Sequence, residues 1–255
     1  MADLELARDG ALLTITFNRP ERRNALTLAM WRQLKAEAEA ASADAAVRAV
    51  VIAGAGAHFC AGADIGEFAA HRADPAQTRE YDDAVDAACA ALAAVPKPVI
   101  AAVRGFCLGG GTGVALACDF RLCAPDAVFG IPAARLGIVY GLAETQALLA
   151  TVGLPRAKRL LFTADRLDAE AAKALGLADE IVPDPLEAAR EMAGKMARNA
   201  PLSIAGAKAI LNGLASGTLA PETAHALAAR AAESEDYREG RTAFLEKRAP
   251  VFRGR

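Results

Sequence analysis

Residues 97–119, KPVIAAVRGFCLGGGTGVALACD, set three consecutive glycines, Gly109-Gly110-Gly111, between a β-branched apolar run, Val99–Val103, and an apolar segment, Val114–Cys118, at helical spacing. That order reads as strand, glycine turn and helix. Glycines let the backbone come close to a ligand, and the first N–H groups of a helix have no intrahelical partner, so such a turn is built to hold an anion. The same stretch contains Gly105-Phe106-Cys107-Leu108-Gly109, which fits the G-x-C-x-G of a nucleophile elbow with Cys107 as nucleophile and His225 as a later histidine. Against that reading, His225 sits in a helical run, and a second glycine turn upstream is left without a role. A dinucleotide site does not fit, because Gly109-x-Gly111 runs on to Val114 where a third glycine belongs.

The second turn follows a buried-type strand, Ala49–Ala53, and passes through Gly54-Ala55-Gly56 and His58-Phe59-Cys60 to Ala61-Gly62-Ala63-Asp64. Around these two turns the periodicity predicts a scaffold. Leu4–Arg8 and Leu12–Phe17 flank Asp9-Gly10 as a hairpin, and residues 27–41 carry Leu28, Trp31, Leu34 and Ala38 on one helical face with Thr27 as N-cap. Trp31 reads as core. Glu67 to Thr78 is a polar segment expected to be mobile, followed by an alanine-rich helix to Ala94. Phe120–Ala124 and Val128–Gly130 read as short strands, and Pro132–Gly141 as a loop entering a helix near Ala143. Short helices alternate over 155–182, and 185–248 is nearly all helical. We therefore expect an α/β core domain over 1–195 and a helical C-terminal region over 196–255. Helices such as Ala84–Ala94 need no function, since alanine favours helix and close packing.

A chain of 255 residues that is 54% hydrophobic and 24% charged has the composition of a globular protein with a large core, and its net charge of −2 offers no basic stripe for nucleic acid or an anionic membrane surface. No apolar run is long enough to span a bilayer, and the opening MADLELARDG lacks the basic-then-apolar pattern of a signal peptide, so a cytoplasmic protein is expected. The five cysteines form no C-x-x-C pair and read as small buried residues in a reducing compartment. The three histidines lack metal-type spacing, and no metal is expected.

Taken in order and spacing, several motifs together resemble the enoyl-CoA hydratase/isomerase (crotonase) superfamily over nearly the full length. They are Asn18-Arg19-Pro20 with Asn24-Ala25-Leu26, residues 59–65 (FCAGADI), 97–103 (KPVIAAV), 105–111 (GFCLGGG), Ala117-Cys118-Asp119, Phe129-Gly130, Leu136-Gly137-Ile138, and the tail from Arg238-Glu239-Gly240 to Arg248. The resemblance implies a spiral of ββα repeats with a helical C-terminal trimerisation region, a homotrimer or dimer of trimers, and an acyl-coenzyme A thioester as ligand. Coenzyme A is then part of the substrate, and no separate cofactor is expected. It also implies that two backbone N–H groups, on Ala63 and Gly110, polarise the thioester carbonyl. This agrees with the anion site read from the glycines. The coenzyme would lie along Arg22 or Arg23, Ala25, Ala61, Asp64 and Ile65, with Lys247 near its phosphates or adenine.

Hydratases of this superfamily use two glutamates as general acid and base, at positions that fall here on Gly113 and Ala133. Neither carries a carboxylate, so a poor hydratase is expected. The base of the isomerases falls on the second of these positions, and an aspartate used by dienoyl-CoA isomerases and a dehalogenase falls near Gly141. Near the implied thioester remain Tyr140, where family decarboxylases acting on methylmalonyl-CoA have a tyrosine, and Glu144, at the start of the next helix. Decarboxylation needs no base: loss of CO₂ generates the enolate, the oxyanion hole holds it, and a phenol orients the carboxylate or delivers a proton. Those decarboxylases tend to have a histidine where this chain has Ala63. Asp64 and Glu67 are lesser candidates, and Asp119 reads as a residue that fixes a turn. Two readings stand: an acyl-CoA-processing enzyme whose reaction differs from hydration, and a non-catalytic acyl-CoA-binding protein of the same fold.

Overall fold

A computed structural model describes residues 2–255. The chain opens with the antiparallel hairpin β1 (Leu4–Asp9) and β2 (Leu12–Phe17), turning at Gly10 with φ +54°, then α1 (Leu28–Ala43), capped by Thr27, whose hydroxyl accepts from Met30 N at 3.2 Å. Strand β3 (Ala49–Gly54) leads through the first glycine turn to α2 (Phe68–His71) and α3 (Pro75–Ala93). The segment expected to be mobile over 67–78 is instead helical on both sides of a short break, because Asp74 accepts from the N–H groups of Ala76 and Gln77 and starts α3 early.

Strands β4 (Val99–Val103) and β5 (Phe106–Leu108) precede α4 (Gly110–Ala117), and β6 (Phe120–Cys123) and β7 (Val128–Gly130) precede α5 (Leu142–Val152) and α6 (Leu154–Thr163). The loop expected over 132–141 contains a 3-10 turn, Pro132–Leu136. Then come β8 (Arg166–Asp168), α7 (Ala169–Leu175), β9 (Glu180–Ile181), α8 (Pro185–Ala197), α9 (Pro201–Ser216), α10 (Pro221–Ala232) and α11 (Glu235–Glu246). The main sheet runs β1-β2-β3-β4-β6-β9, parallel from β2 onward, and a smaller sheet runs β5-β7-β8. Two successive turns of the chain, β4-β5-α4 and β6-β7-α5, each give one strand to the large sheet, one to the small sheet, and then a helix.

Parallel strands covered on both faces read as unbroken apolar runs. Here Val50, Ile52, Val99 and Ala101 face a core shared with Trp31, Leu34 and Leu92, while Ala49, Val51, Ile100 and Ala102 face Ala189 and Ala193 of α8. Helix α8 packs on the sheet through Ala189, Met192, Ala193 and Met196, and the 195/196 boundary lies in its last turn. Asp119 fixes its turn as expected: its carboxylate accepts from Val99 N at 2.8 Å and also pairs with Lys208 Nζ of α9 at 2.8 Å. Lys208 in turn donates to Lys97 O at 3.1 Å, so the helical region is tied to the start of β4.

The Lys208 ammonium is nearly buried, whereas Lys35, paired to Glu39 along α1, is exposed. Lys208→Ala is expected to lower stability in urea unfolding by about 1–3 kcal/mol, since it strips a partner from a half-buried carboxylate and a carbonyl. Lys35→Ala is expected to change it by less than about 1 kcal/mol.

Candidate functional site

The two glycine turns are strapped together at a parallel bridge between Cys60 and Cys107. Cys60 N donates to Phe106 O at 2.8 Å and Leu108 N to Cys60 O at 3.0 Å. Small residues make the approach possible: a Cβ on Gly111 would lie 2.5 Å from Cys60 O, and one on Gly62, where φ is +106°, 2.9 Å from Leu108 O. The first turn is shaped by buried Asn24, itself at φ +56°, whose side chain accepts from Arg19 N at 2.9 Å and donates to Ala55 O and His58 O at 2.9 and 2.6 Å. This network places Ala63 N 3.6 Å from where a Gly110 Cβ would stand. Among the described residues, neither Ala63 N–H nor Gly110 N–H donates to another protein group. Two unpartnered amides therefore converge at one end of α4, the arrangement an oxyanion hole requires.

They open onto a cavity of about 120 Å³ whose wall includes Trp31, Ala61, Ala63, Ile65, Gly110, Tyr140 and Glu144. Of the residues expected at the coenzyme, Ala61 and Ile65 line this cavity and Arg22, Arg23, Ala25, Asp64 and Lys247 do not. Arg22, Arg23 and Lys247 are exposed, and Arg23 lies over the Phe106 ring at 5.5 Å. Ala25 O accepts from Arg19, and the Asp64 carboxylate pairs with Arg19 at 2.9 Å and accepts from Gly66 N at 3.0 Å. Asp64 is thus committed to holding the first turn. Glu67 is similarly committed, accepting from Leu28 N at 2.9 Å at the start of α1.

Glu144 is 4% exposed and its Oε1 has no hydrogen-bond partner. Its carboxyl fills the space beside Gly113, one helical turn beyond Gly110, so that any Cβ at residue 113 would collide with Glu144 Oε1. The position that lacks a carboxylate in sequence is thus supplied with one from α5. Burial pushes the Glu144 carboxyl up from 4.5 to about 7; the Gly141 N–H counteracts this in part, and the Asp86 carboxylate adds to it. Tyr140 is half-buried and its hydroxyl donates to Gly109 O at 3.0 Å. Desolvation, then the nearby Glu144 carboxylate, raises its pKa well above the usual phenol value, so it is a neutral donor whose proton is already engaged. Ala133 lines the cavity and brings no polar group.

Wall residues that escaped the sequence reading as site residues include Trp31, Arg72, Asp82 and Asp86. Trp31 is fully buried, as expected of core, yet its ring edge also forms the floor under Gly110, where a Cβ would lie 2.8 Å from Cζ2. Arg72 sits over the Phe68 and Tyr81 rings and pairs with Asp82 at 2.5 Å. The nucleophile-elbow alternative fails on geometry. Cys107 is 0% exposed, burial raises its thiol well above the ordinary value, and His225 lies exposed on α10. His58 is structural, its Nδ1 accepting from Phe106 N at 3.1 Å while its ring stacks on Phe106 at 4.5 Å. Among the described residues there is no group of three metal-type ligands, and no helix is long and apolar enough to cross a membrane.

Comparison with known proteins bears on the same geometry. A family model described as enoyl-CoA hydratase/isomerase matches residues 7–255. The 2,3-dehydroadipyl-CoA hydratase of Escherichia coli strain K12 is 39% identical over 259 residues, covering 100% of both chains. The short-chain-enoyl-CoA hydratase of Clostridium acetobutylicum is 35% identical, covering 95% of this chain and 94% of its own. Among solved structures, an enoyl-CoA hydratase/carnithine racemase from Magnetospirillum magneticum superposes with a TM-score of 0.95 at 37% identity, over 100% of this chain and 97% of that one. With the family match running from residue 7 to residue 255, the chain belongs to the enoyl-CoA hydratase/isomerase family.

Proposed function

We propose that the protein catalyses addition of water to, or its elimination from, an acyl-CoA thioester, with Ala63 N–H and Gly110 N–H holding the enolate oxygen and Glu144 carrying the proton. The observation that supports this most directly is the buried Glu144 carboxyl beside Gly113, with one oxygen unpartnered and a pKa of about 7. A proton-transfer group works best when its pKa lies near the operating pH. In the direction of hydration, the Glu144 carboxylate takes a proton from water as the water oxygen bonds to the β-carbon. The electron pair of the double bond moves into the thioester oxygen, which the two amides hold. Glu144, now the acid, returns the proton to the α-carbon and is a carboxylate again. One carboxyl group suffices for both half-steps, and coenzyme A enters and leaves as part of the substrate.

Decarboxylation through Tyr140 is less well supported. The substrate carboxylate would face Asp82, Asp86 and Glu144 across a wall whose single arginine, Arg72, is already paired with Asp82. The Tyr140 proton is held by Gly109 O. The non-catalytic reading leaves the burial of an unpartnered carboxyl without a purpose, at a cost to stability. Exposed Arg22, Arg23 and Lys247 remain the proposed cations for the coenzyme phosphates, and exposed Leu211, Leu214, Phe244 and Leu245 support the homotrimer or dimer of trimers expected from the sequence.

With crotonyl-CoA as probe and product followed by mass, Glu144→Gln is expected to lower kcat by about 10²–10⁴-fold with KM little changed. Turnover unaltered by that substitution, or none in the wild type with a panel of enoyl-CoA thioesters, would overturn the proposal. Tyr140→Phe is expected to cost far less, and Cys107→Ser to leave turnover standing, because that thiol touches neither cavity nor base.

The raised pKa also sets a pH dependence of stability. The folded protein binds a proton at Glu144 that the unfolded chain releases above its ordinary 4.5, so stability falls as pH rises from about 4.5 to about 7 and is level above that. Glu144→Gln removes this loss. Relative to wild type, the variant is expected to gain up to about 3 kcal/mol between pH 4.5 and pH 8 in denaturant unfolding.

A further inference from the structure

The Glu144 carboxyl does not stand alone. Gly141, between Tyr140 and α5, is flanked by two carboxylates: a Cβ placed there would lie 2.7 Å from Asp86 Oδ1 and 2.9 Å from Glu144 Oε2. Asp86 projects from the middle of α3, is half-buried, and lines the same cavity as Glu144. Its Oδ1 accepts from Ala143 N at 3.2 Å, one of the unpartnered amides in the first turn of α5. One carboxylate therefore both anchors the helix that carries Glu144 and stands across a bare glycine from it.

We propose that Asp86 is the positioning residue of this site, fixing the start of α5 and holding a second negative charge across Gly141 from the Glu144 carboxyl. This rests on the reading of Glu144 as the proton carrier. The groups facing Glu144 are few. From α3 they are Asp82, Asp86 and Cys89; from the loop before α5, Tyr140; from α4 only Gly113, which has no side chain. The charge of Asp82 is offset by Arg72, and Cys89 is a buried thiol held neutral by its surroundings. Asp86 is left as the negative charge with no cationic partner, and the Asp86 carboxylate raises the Glu144 pKa, in keeping with this arrangement. Two carboxylates across a site cannot both ionise freely, and the less solvated one keeps its proton.

Asp86→Asn tests this, because the amide oxygen still accepts from Ala143 N while the charge is gone. In wild type, log kcat/KM for crotonyl-CoA should rise with pH up to the Glu144 pKa. In Asp86→Asn that rising limb should move to lower pH by on the order of one unit, raising kcat/KM at pH 6 about fivefold relative to its own plateau. A merely structural role would lower kcat/KM equally at every pH and leave the limb in place, which would overturn the proposal. The protonated carboxyl band of Glu144, isolated by infrared difference against Glu144→Gln, gives a readout that needs no turnover. It should persist to higher pH in the wild type than in Asp86→Asn, and identical titrations would likewise overturn the proposal. Failure of the proton-carrier reading is seen separately, as turnover unaffected by Glu144→Gln.

Discussion

The close approach of the turn after β3 to the turn after β5 is the constraint on which the rest of the molecule depends. Two amides can face one point only if both backbones come within hydrogen-bond distance, and Gly62 and Gly111 lie where a side chain would prevent it. Everything nearby serves that meeting: the Cys60–Cys107 bridge, the buried Asn24 that folds the first turn, and the Asp64–Arg19 pair that holds its exit. The parallel sheet fixes β3 beside β4, and the small-sheet strand β5, which follows β4, sets the height at which α4 begins. An amide fixed before the substrate arrives needs no reorganisation as charge develops, and each such donor is worth about 10²–10³ in rate.

On this rigid frame the acid-base chemistry is carried by a different element. The amides come from the turns, while the proposed proton carrier, Glu144, comes from α5 and the carboxylate beside it, Asp86, from α3. The cavity wall combines an apolar floor, Trp31 and Ala133, with the Glu144 carboxyl, which burial pushes up to about 7. A polar group without a partner in such a place costs stability, and its retention is what a site for proton transfer looks like energetically.

The sequence was legible where the signal is local. The glycine turns at 61–63 and 109–111, the Asp9-Gly10 hairpin and the Thr27 cap are each written in a few adjacent residues, and the structure has them where the periodicity predicted. Strands β5, β8 and β9, of two or three residues, are too short to show any period. The helical segment over 67–78 was hidden by its polarity, because exposed helix carries no apolar stripe. The site was half legible for the same reason. Gly113 and Glu144 lie 31 positions apart, and nothing in the local pattern says that the second fills the volume left by the first. Asp86 is more distant still from Gly141, with no spacing rule to link them.

The sharing of one small volume by residue 113 and Glu144 also constrains how this chain can change. A side chain at 113 and the Glu144 carboxyl compete for the same niche, so one must move aside to admit the other. A change at either position is therefore felt at the other. The two positions are coupled by competition for one volume rather than by attraction, so a carboxyl can reach this end of α4 from either helix but has room to do so from only one at a time.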